Sequence, residues 1–250
     1  MRTQTSDERR NQIVRLLLDD GTVKIGQLSR KFSVSTETIR KDLIELEKQG
    51  LAKKGHGIAF VANMGADEIV PHAAESQMRL ADKAFELIAD HATIILDSGS
   101  TCYLLARKII DEKKKVTVIT NSIMIAKVLG DSDIDVNIIG GEVSHRQTTT
   151  NLWATYCLSL VNADAAFLET TGFKGRKGPC ADNFADAQVK RAMIKCARKI
   201  YVLAEGMKAQ EDSLVEYAAW ENFDALITDS FISTDGLELL NGLVEIMLVY

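Results

Sequence analysis

No long apolar run occurs in this chain. Its 250 residues are 46% hydrophobic, yet no stretch approaches the roughly 18 consecutive apolar residues of a membrane helix. A membrane protein is therefore not expected. The opening MRTQTSDERRNQ has no apolar h-region, so no secretory signal is expected and a cytoplasmic location is. Cysteine is sparse: Cys102, Cys157, Cys180 and Cys196 are scattered, with no CxxC and no paired spacing. That pattern argues against a disulfide framework or a thiolate metal site and predicts free thiols in a reducing compartment. No metal and no cofactor are expected. Internal repeats and low-complexity tracts are lacking too, and the run Lys113-Lys114-Lys115 reads as a solvated loop.

What the chain does have is an uneven charge. The net charge is −5, but residues 1–61 carry 12 Lys/Arg against 8 Asp/Glu, a net of +4, and residues 62–250 carry 18 against 27, a net of −9. A small basic head on a larger acidic body makes the head the part that meets a polyanion. The length suits one small and one medium domain.

In the head, residues 6–20 read as a helix with Ser6 as its cap, Ile13, Leu16 and Leu17 on the apolar face, and Gly21 as its stop. Val23 is a short extended link. KIGQLSRKF (24–32) is a second helix with Ile25, Leu28 and Phe32 inward. Ser35 then caps a third helix whose stripe is Ile39, Leu43 and Leu46, and Gly50 ends it. Arg40 and Lys41 lie off that stripe near the helix start. LAKKGHGIAFVA (51–62) reads as a hairpin or wing. Three helices and a basic hairpin make a winged helix-turn-helix. Its third helix would enter the major groove by its N-terminal end, bringing Ser35, Thr36, Glu37, Thr38, Arg40 and Lys41 to the DNA. Lys53, Lys54 and His56 on the wing would reach phosphates or the minor groove. Winged helices also serve as protein-contact modules; the basic third helix and wing favour DNA.

Residues 62–91 read as a connector with a linking helix, amphipathic through Met78, Ala81, Phe85 and Ile88. From 92 to 250 the chain alternates. Strands are expected at 93–97, 116–120, 135–141, from Ala165 on, at 200–206, 223–229 and 244–249. Helices are expected over 101–110, 122–130, 151–161 and 186–199. The fold class is α/β: a winged helix-turn-helix followed by a doubly wound, mostly parallel effector domain. Ligands of such sheets bind beyond the carboxyl ends of the strands. There the sequence places Asp97-Ser98-Gly99-Ser100-Thr101, Thr120-Asn121-Ser122, Gly140-Gly141, Thr170-Thr171-Gly172 with Lys174, Arg176 and Lys177, and Glu205 with Lys208. Glycines for tight turns, hydroxyls and helix N–H groups suit a phosphate. Asp97 and Glu205 are the carboxylates at this edge, able to orient ligand hydroxyls.

Taken together these residues resemble the DeoR family of bacterial transcriptional regulators over nearly the whole chain. The resemblance rests on RRNQIVRLL, VSTETIRKDLIELEKQGL and KKGHG in the head, and on LDSGST, VITNS, IIGGEV, FLETTG, VKRAMIKCARKIYVLAEGMK and LITD in the body. It implies a DNA-binding repressor of sugar-catabolic genes, controlled by a phosphorylated sugar. It further implies a body similar to phosphosugar isomerases and a homo-oligomer, dimer or tetramer, on a double-stranded operator. By position, Ser98–Thr101 would hold phosphate, and Thr120–Ser122, Gly140, Gly141, Gly172 and Lys208 would line the pocket. The chain departs from the family at Glu205-Gly206-Met207-Lys208, at Lys174, at Ile58 after the wing, and at Asn151, where a glycine is common. Lys174, Arg176 and Lys177 favour a strongly anionic effector such as a sugar-acid phosphate. A phosphosugar isomerase with an appended head, using Glu205 or Asp97 as base, and a scaffold using the winged helix for protein contact are the alternatives; the pocket's place on a separate domain from the DNA helix supports the regulator, and no enzyme is expected.

Overall fold

A computed structural model describes residues 5–20, 22–48, 51–54, 58–61, 75–144 and 146–250. The chain divides into two compact units, Met1–Ala74 and Glu75–Tyr250.

The first unit contains α1 (Ser6–Asp20), β1 (Thr22–Lys24), α2 (Ile25–Lys31), α3 (Thr36–Lys48), β2 (Ala52–Lys54) and β3 (Ile58–Val61). β3 lies between β1 and β2 and is antiparallel to both. Val23, read as a link, thus belongs to a strand that closes the wing sheet. The core is built by helical periodicity: Ile13, Val14 and Leu17 of α1, Ile25 and Leu28 of α2, and Ile39, Leu43 and Leu46 of α3 are all buried. Phe32 is only half-buried. The turn into α3 is held by Ser29, whose hydroxyl donates to the Val34 carbonyl at 2.6 Å while its carbonyl accepts the Val34 N–H at 3.1 Å. Ser35 Oγ then accepts the Thr38 N–H at 3.0 Å, the expected cap. The cap of α1 is Thr5 rather than Ser6. Thr5 Oγ1 accepts the Glu8 N–H at 3.2 Å and the Glu8 carboxylate accepts the Thr5 N–H at 2.8 Å, a reciprocal capping box. Gly21, Gly50 and His56 lie outside the described residues. A buried ion pair lies in this core: Arg9 Nε donates to Asp42 Oδ2 at 2.6 Å and Nη2 to Oδ1 at 3.2 Å, with both side chains buried.

The second unit opens with α4 (Glu75–Glu86) and runs β4 (Thr93–Leu96), α5 (Ser100–Asp111), β5 (Thr117–Thr120), α6 (Ile123–Gly130), β6 (Asp135–Ile138), a short hairpin β7 (Glu142–Val143) and β8 (Thr149–Thr150), and α7 (Asn151–Ser159). It continues with β9 (Ala163–Glu169), β10 (Cys180–Ala181), α8 (Phe184–Lys195), β11 (Ala197–Leu203), β12 (Val215–Glu216), β13 (Ala225–Asp229), α9 (Thr234–Leu240) and β14 (Glu245–Val249). Seven strands form one sheet in the order β14-β13-β11-β9-β4-β5-β6, every neighbouring pair parallel. The register aligns Ile119, Ile95, Ala166 and Ile200 in a row across four strands. That row packs into one cluster with Ala154 and Leu158 of α7, Ala187 and Met193 of α8 and Leu240 of α9. The alternate residues Ile94, Leu96, Phe167, Leu203 and Ile227 point the other way and are buried too, as a sheet covered on both faces requires.

Several expected boundaries move. The helix read through residue 199 ends at Lys195, and Ala197–Lys199 pair with β9 instead. The inward face of the linking helix is partly the expected one: Ala81 and Ile88 are buried, but Ser76, Gln77, Leu80 and Ala84 are buried with them, whereas Phe85 is half-buried and Met78 exposed. Asn151 has φ 81°, so the backbone there takes the glycine-like conformation through a residue that tolerates it. Among the described residues no helix is long and apolar enough to cross a membrane.

Candidate functional site

On the head, the start of α3 is open. Ser35, Thr36, Glu37, Arg40 and Lys41 are exposed, and Thr38 is half-buried. Arg40 Nη1 stands 3.3 Å from Glu37 Oε2, but both side chains are more than half exposed, so the pair is weak and easily exchanged for another anion. Lys53 and Lys54 lie on β2, in register with Phe60 and Ala59 of β3.

On the body, strand order reverses between β4 and β9. β5 and β6 extend the sheet on one side of β4; β9, β11, β13 and β14 extend it on the other. Such a reversal opens a crevice at the carboxyl ends of the two diverging strands. Two of the expected loops meet there, Asp97–Thr101 after β4 and Glu169–Gly172 after β9. Asp97 is fully buried. Its Oδ2 accepts the Glu169 N–H at 2.9 Å and pairs with the Lys190 ammonium, while Oδ1, also buried, finds no hydrogen-bond partner among the described residues. Lys190 also donates to the Glu169 carbonyl at 3.1 Å, and so does the Tyr217 hydroxyl at 3.1 Å. The Glu169 side chain then turns to the start of α5, where Oε1 accepts the Cys102 N–H at 2.6 Å. Gly99, at φ 118°, makes the room: a Cβ there would stand 2.5 Å from Glu169 Oε2.

A third loop joins through α4. Gln77 Nε2 donates to Ser100 Oγ at 2.9 Å and to Glu205 Oε2 at 3.1 Å; Ser76 Oγ donates to Glu205 Oε1 at 3.1 Å. Glu205 is therefore tied to α4. Ser100 and Thr101 are buried and Ser98 is half-buried. One strand along, Thr120, Asn121 and Ser122 are buried beside β8. Thr120 Oγ1 accepts the Ser122 N–H at 3.0 Å, Ser122 Oγ caps α6, and Asn121 Nδ2 reaches the Thr149 carbonyl at 3.5 Å. Asn121 Oδ1 has no hydrogen-bond partner among the described residues. Gly140 and Gly141 turn the chain into β7. Gly172 is pressed by backbone, its would-be Cβ 2.3 Å from the Glu211 carbonyl oxygen. Lys174 is exposed, and Lys208 Nζ stands 3.0 Å from Glu211 Oε2.

The electrostatics favour charge separation over acid–base chemistry. Burial lowers the Lys190 pKa, but the Asp97 and Asp186 charges outweigh it and the net shift is upward. Burial raises Asp186, with Lys190 opposing. Burial also raises Asp182, yet the Arg146 guanidinium overturns that and holds it below its ordinary value. Cys102 is driven well up by burial and by the Glu169 and Asp97 charges, and burial pushes Cys180 and Cys196 to about 11. All four cysteines are free thiols, and these three stay protonated at neutral pH.

Gln77, Glu169 and Lys190 were not singled out by sequence reasoning. Two signals were available. Glu169 directly precedes Thr170-Thr171-Gly172 at a strand end, and Lys190 shares a helix face with Asp186, Ala187 and Met193, where a lysine needs a buried partner.

Comparison with known proteins gives consistent matches. Residues 9–64 match the model of a DeoR-like helix-turn-helix domain and residues 72–230 that of the DeoR C terminal sensor domain. A putative aga operon transcriptional repressor of Escherichia coli O157:H7 is 30% identical, covering 99% of this chain and 96% of its own length. The regulator GolR of Listeria innocua is 32% identical over 90% of this chain and 91% of its own. Among solved structures, ribose 5-phosphate isomerase A from Methanocaldococcus jannaschii overlaps 53% of this chain and 52% of its own at 19% identity and a TM-score of 0.39.

Proposed function

The chain belongs to the DeoR family of DNA-binding transcriptional regulators, and on that premise we propose that it represses sugar-catabolic genes under the control of a phosphorylated sugar. The proposed effector seat is the crevice between the ends of β4 and β9, with Ser98–Thr101 at the phosphate and Asp97, Thr120–Ser122, Gly140, Gly141, Gly172, Lys174, Glu205 and Lys208 around the sugar. The names of two relatives support the sugar reading: one is a putative aga operon transcriptional repressor and another a lactose phosphotransferase system repressor.

The observation that carries the control mechanism is the position of Gln77. One buried amide binds Ser100 of the phosphate loop and Glu205 of the β11 loop. It sits three residues into the second unit, next in sequence to the stretch leading from the winged helix. A ligand that takes the Ser100 hydroxyl must change what Gln77 holds. Ligand is then bound more tightly by one arrangement of that segment than by the other, which is the condition for coupling; about 1–3 kcal/mol is typical. Operator recognition follows from Ser35, Thr36, Glu37, Thr38, Arg40 and Lys41, assisted by Lys53, Lys54 and His56 of the wing. In a homo-oligomer two such helices would read half-sites about 10 bp or a multiple apart.

Thermal-shift screening against sugar phosphates should find a stabilising ligand, which at 100 times its Kd adds about 2.7 kcal/mol. Combining Ser100→Ala with Thr101→Ala should remove that shift while leaving DNA affinity intact; an unchanged shift places the phosphate elsewhere. Arg40→Ala should weaken operator binding by about 1–3 kcal/mol if it reads a base, or lower the salt slope by about 1 if it touches phosphate. A gel-shift titration identical to wild type removes Arg40 from the interface.

A further inference from the structure

The N-terminus of α5 already holds an anion, and the chain itself supplies it. The Glu169 carboxylate accepts the Cys102 N–H at 2.6 Å and lies against Gly99 so closely that no Cβ would fit. Backbone N–H groups and the helix dipole favour negative charge at this end, so the carboxylate occupies the position that suits a phosphate. Its placement is held from both sides of its own peptide. Asp97 accepts its N–H, and Lys190 and Tyr217 donate to its carbonyl. Three buried side chains thus fix the base of one half-buried acid.

We propose that Glu169 is a tethered competitor for the effector's phosphate, so that an anionic ligand binds only by displacing the carboxylate from the start of α5. This rests on the phosphate seat proposed above. Two anions cannot share one helix start: like charges a few ångströms apart in a partly buried site repel strongly. A bare phosphate gains nothing to offset the displacement. A sugar phosphate does, because its hydroxyls find polar groups along the β5 and β11 loops. Glu169 therefore sets the discrimination between the effector and simple anions.

The test is calorimetric titration of the full chain with inorganic phosphate, as wild type, Glu169→Gln and Glu169→Ala. The glutamine keeps an oxygen for the Cys102 N–H and drops the charge; the alanine clears the seat. Circular dichroism verifies that each is folded, and the near-isosteric glutamine guards against loss of structure in the alanine variant. Both are expected to bind phosphate at least about tenfold more tightly than wild type, and adding Ser100→Ala and Thr101→Ala to Glu169→Ala is expected to remove the gain. Equal phosphate affinity in wild type and both variants, with affinity still lost on substituting Ser100 and Thr101, overturns the competition while the phosphate seat stands. No phosphate binding by any variant, together with no stabilisation by sugar phosphates, overturns both.

Discussion

Asp42→Ala is expected to abolish operator binding while the second unit stays folded. Asp42 and Arg9 form a two-point ion pair inside the winged helix, with side chains 6% and 9% exposed. Removing one partner leaves a guanidinium buried without its counter-charge, which costs about 3–5 kcal/mol. A unit of this size buries little surface and has only a few kcal/mol in hand, so the loss is comparable to its whole stability. The exposed Arg40–Glu37 pair, by contrast, contributes well under about 1 kcal/mol. Limited proteolysis should cut the variant within the first seventy-odd residues and spare the rest, and gel-shift titration should show no complex. The double variant Arg9→Met, Asp42→Leu removes both charges and should recover much of the lost stability, since an apolar pair of similar volume often replaces a buried ion pair. If Asp42→Ala binds DNA as wild type does, or the double variant is as poor as the single, the pair is not what holds the head together.

Lys190→Met should destabilise the second unit by a similar amount, about 3–5 kcal/mol at neutral pH. Its ammonium is the buried counter-charge of Asp97 and lies close enough to Asp186 to oppose the upward shift there. Methionine fills the stem's volume, so the deficit reads charge more than packing. The pH dependence has a definite sign. In the wild type the Lys190 pKa is raised above 10.5, so its contribution is complete below that pH and is lost only as the solution becomes more alkaline than that. In the variant the Asp186 carboxyl, already raised by burial, loses the cation that opposes that rise. Protonating it relieves the buried charge, so the deficit should shrink as pH falls. Urea unfolding of both proteins at neutral pH and in mild acid measures this. A deficit that is constant with pH assigns the effect to packing.

The helices of the head were legible, because a three-helix core writes its burial into the 3.6-residue period: Ile39, Leu43 and Leu46 are all buried as that rhythm requires, though Leu16 and Phe32 are only half-buried and Thr5, not Ser6, caps α1. The parallel sheet was legible as strands but less so at its edges. Ala197-Arg198-Lys199 are good helix formers, yet pairing with Ala163 and Ala165 makes them strand, a tertiary override of propensity. Pairs of two-residue strands, such as β7 with β8 and β10 with β12, are too short to show any alternation. The buried face of α4 is only partly legible, for a related reason. Ser76 and Gln77 are polar and buried because their partner is Glu205, as many as 129 residues on. The crevice shares that difficulty. Asp97 was picked out by its place after a strand, but Lys190 follows it by 93 residues and Glu169 by 72. Local pattern carries no trace of such pairings; only the strand order reveals that these groups are neighbours.

The reversal of strand order between β4 and β9 also imposes a timetable on synthesis. Ile94 of β4 is paired with Ala165, 71 residues later in the chain. Ribosomes add about 5–20 residues per second, and units fold as they emerge, N-terminal first. The local contacts of the three-helix head close quickly, whereas a parallel sheet must wait for its distant partners. For several seconds each nascent chain therefore carries a finished DNA-reading head ahead of a sensor whose central seam has not yet been translated.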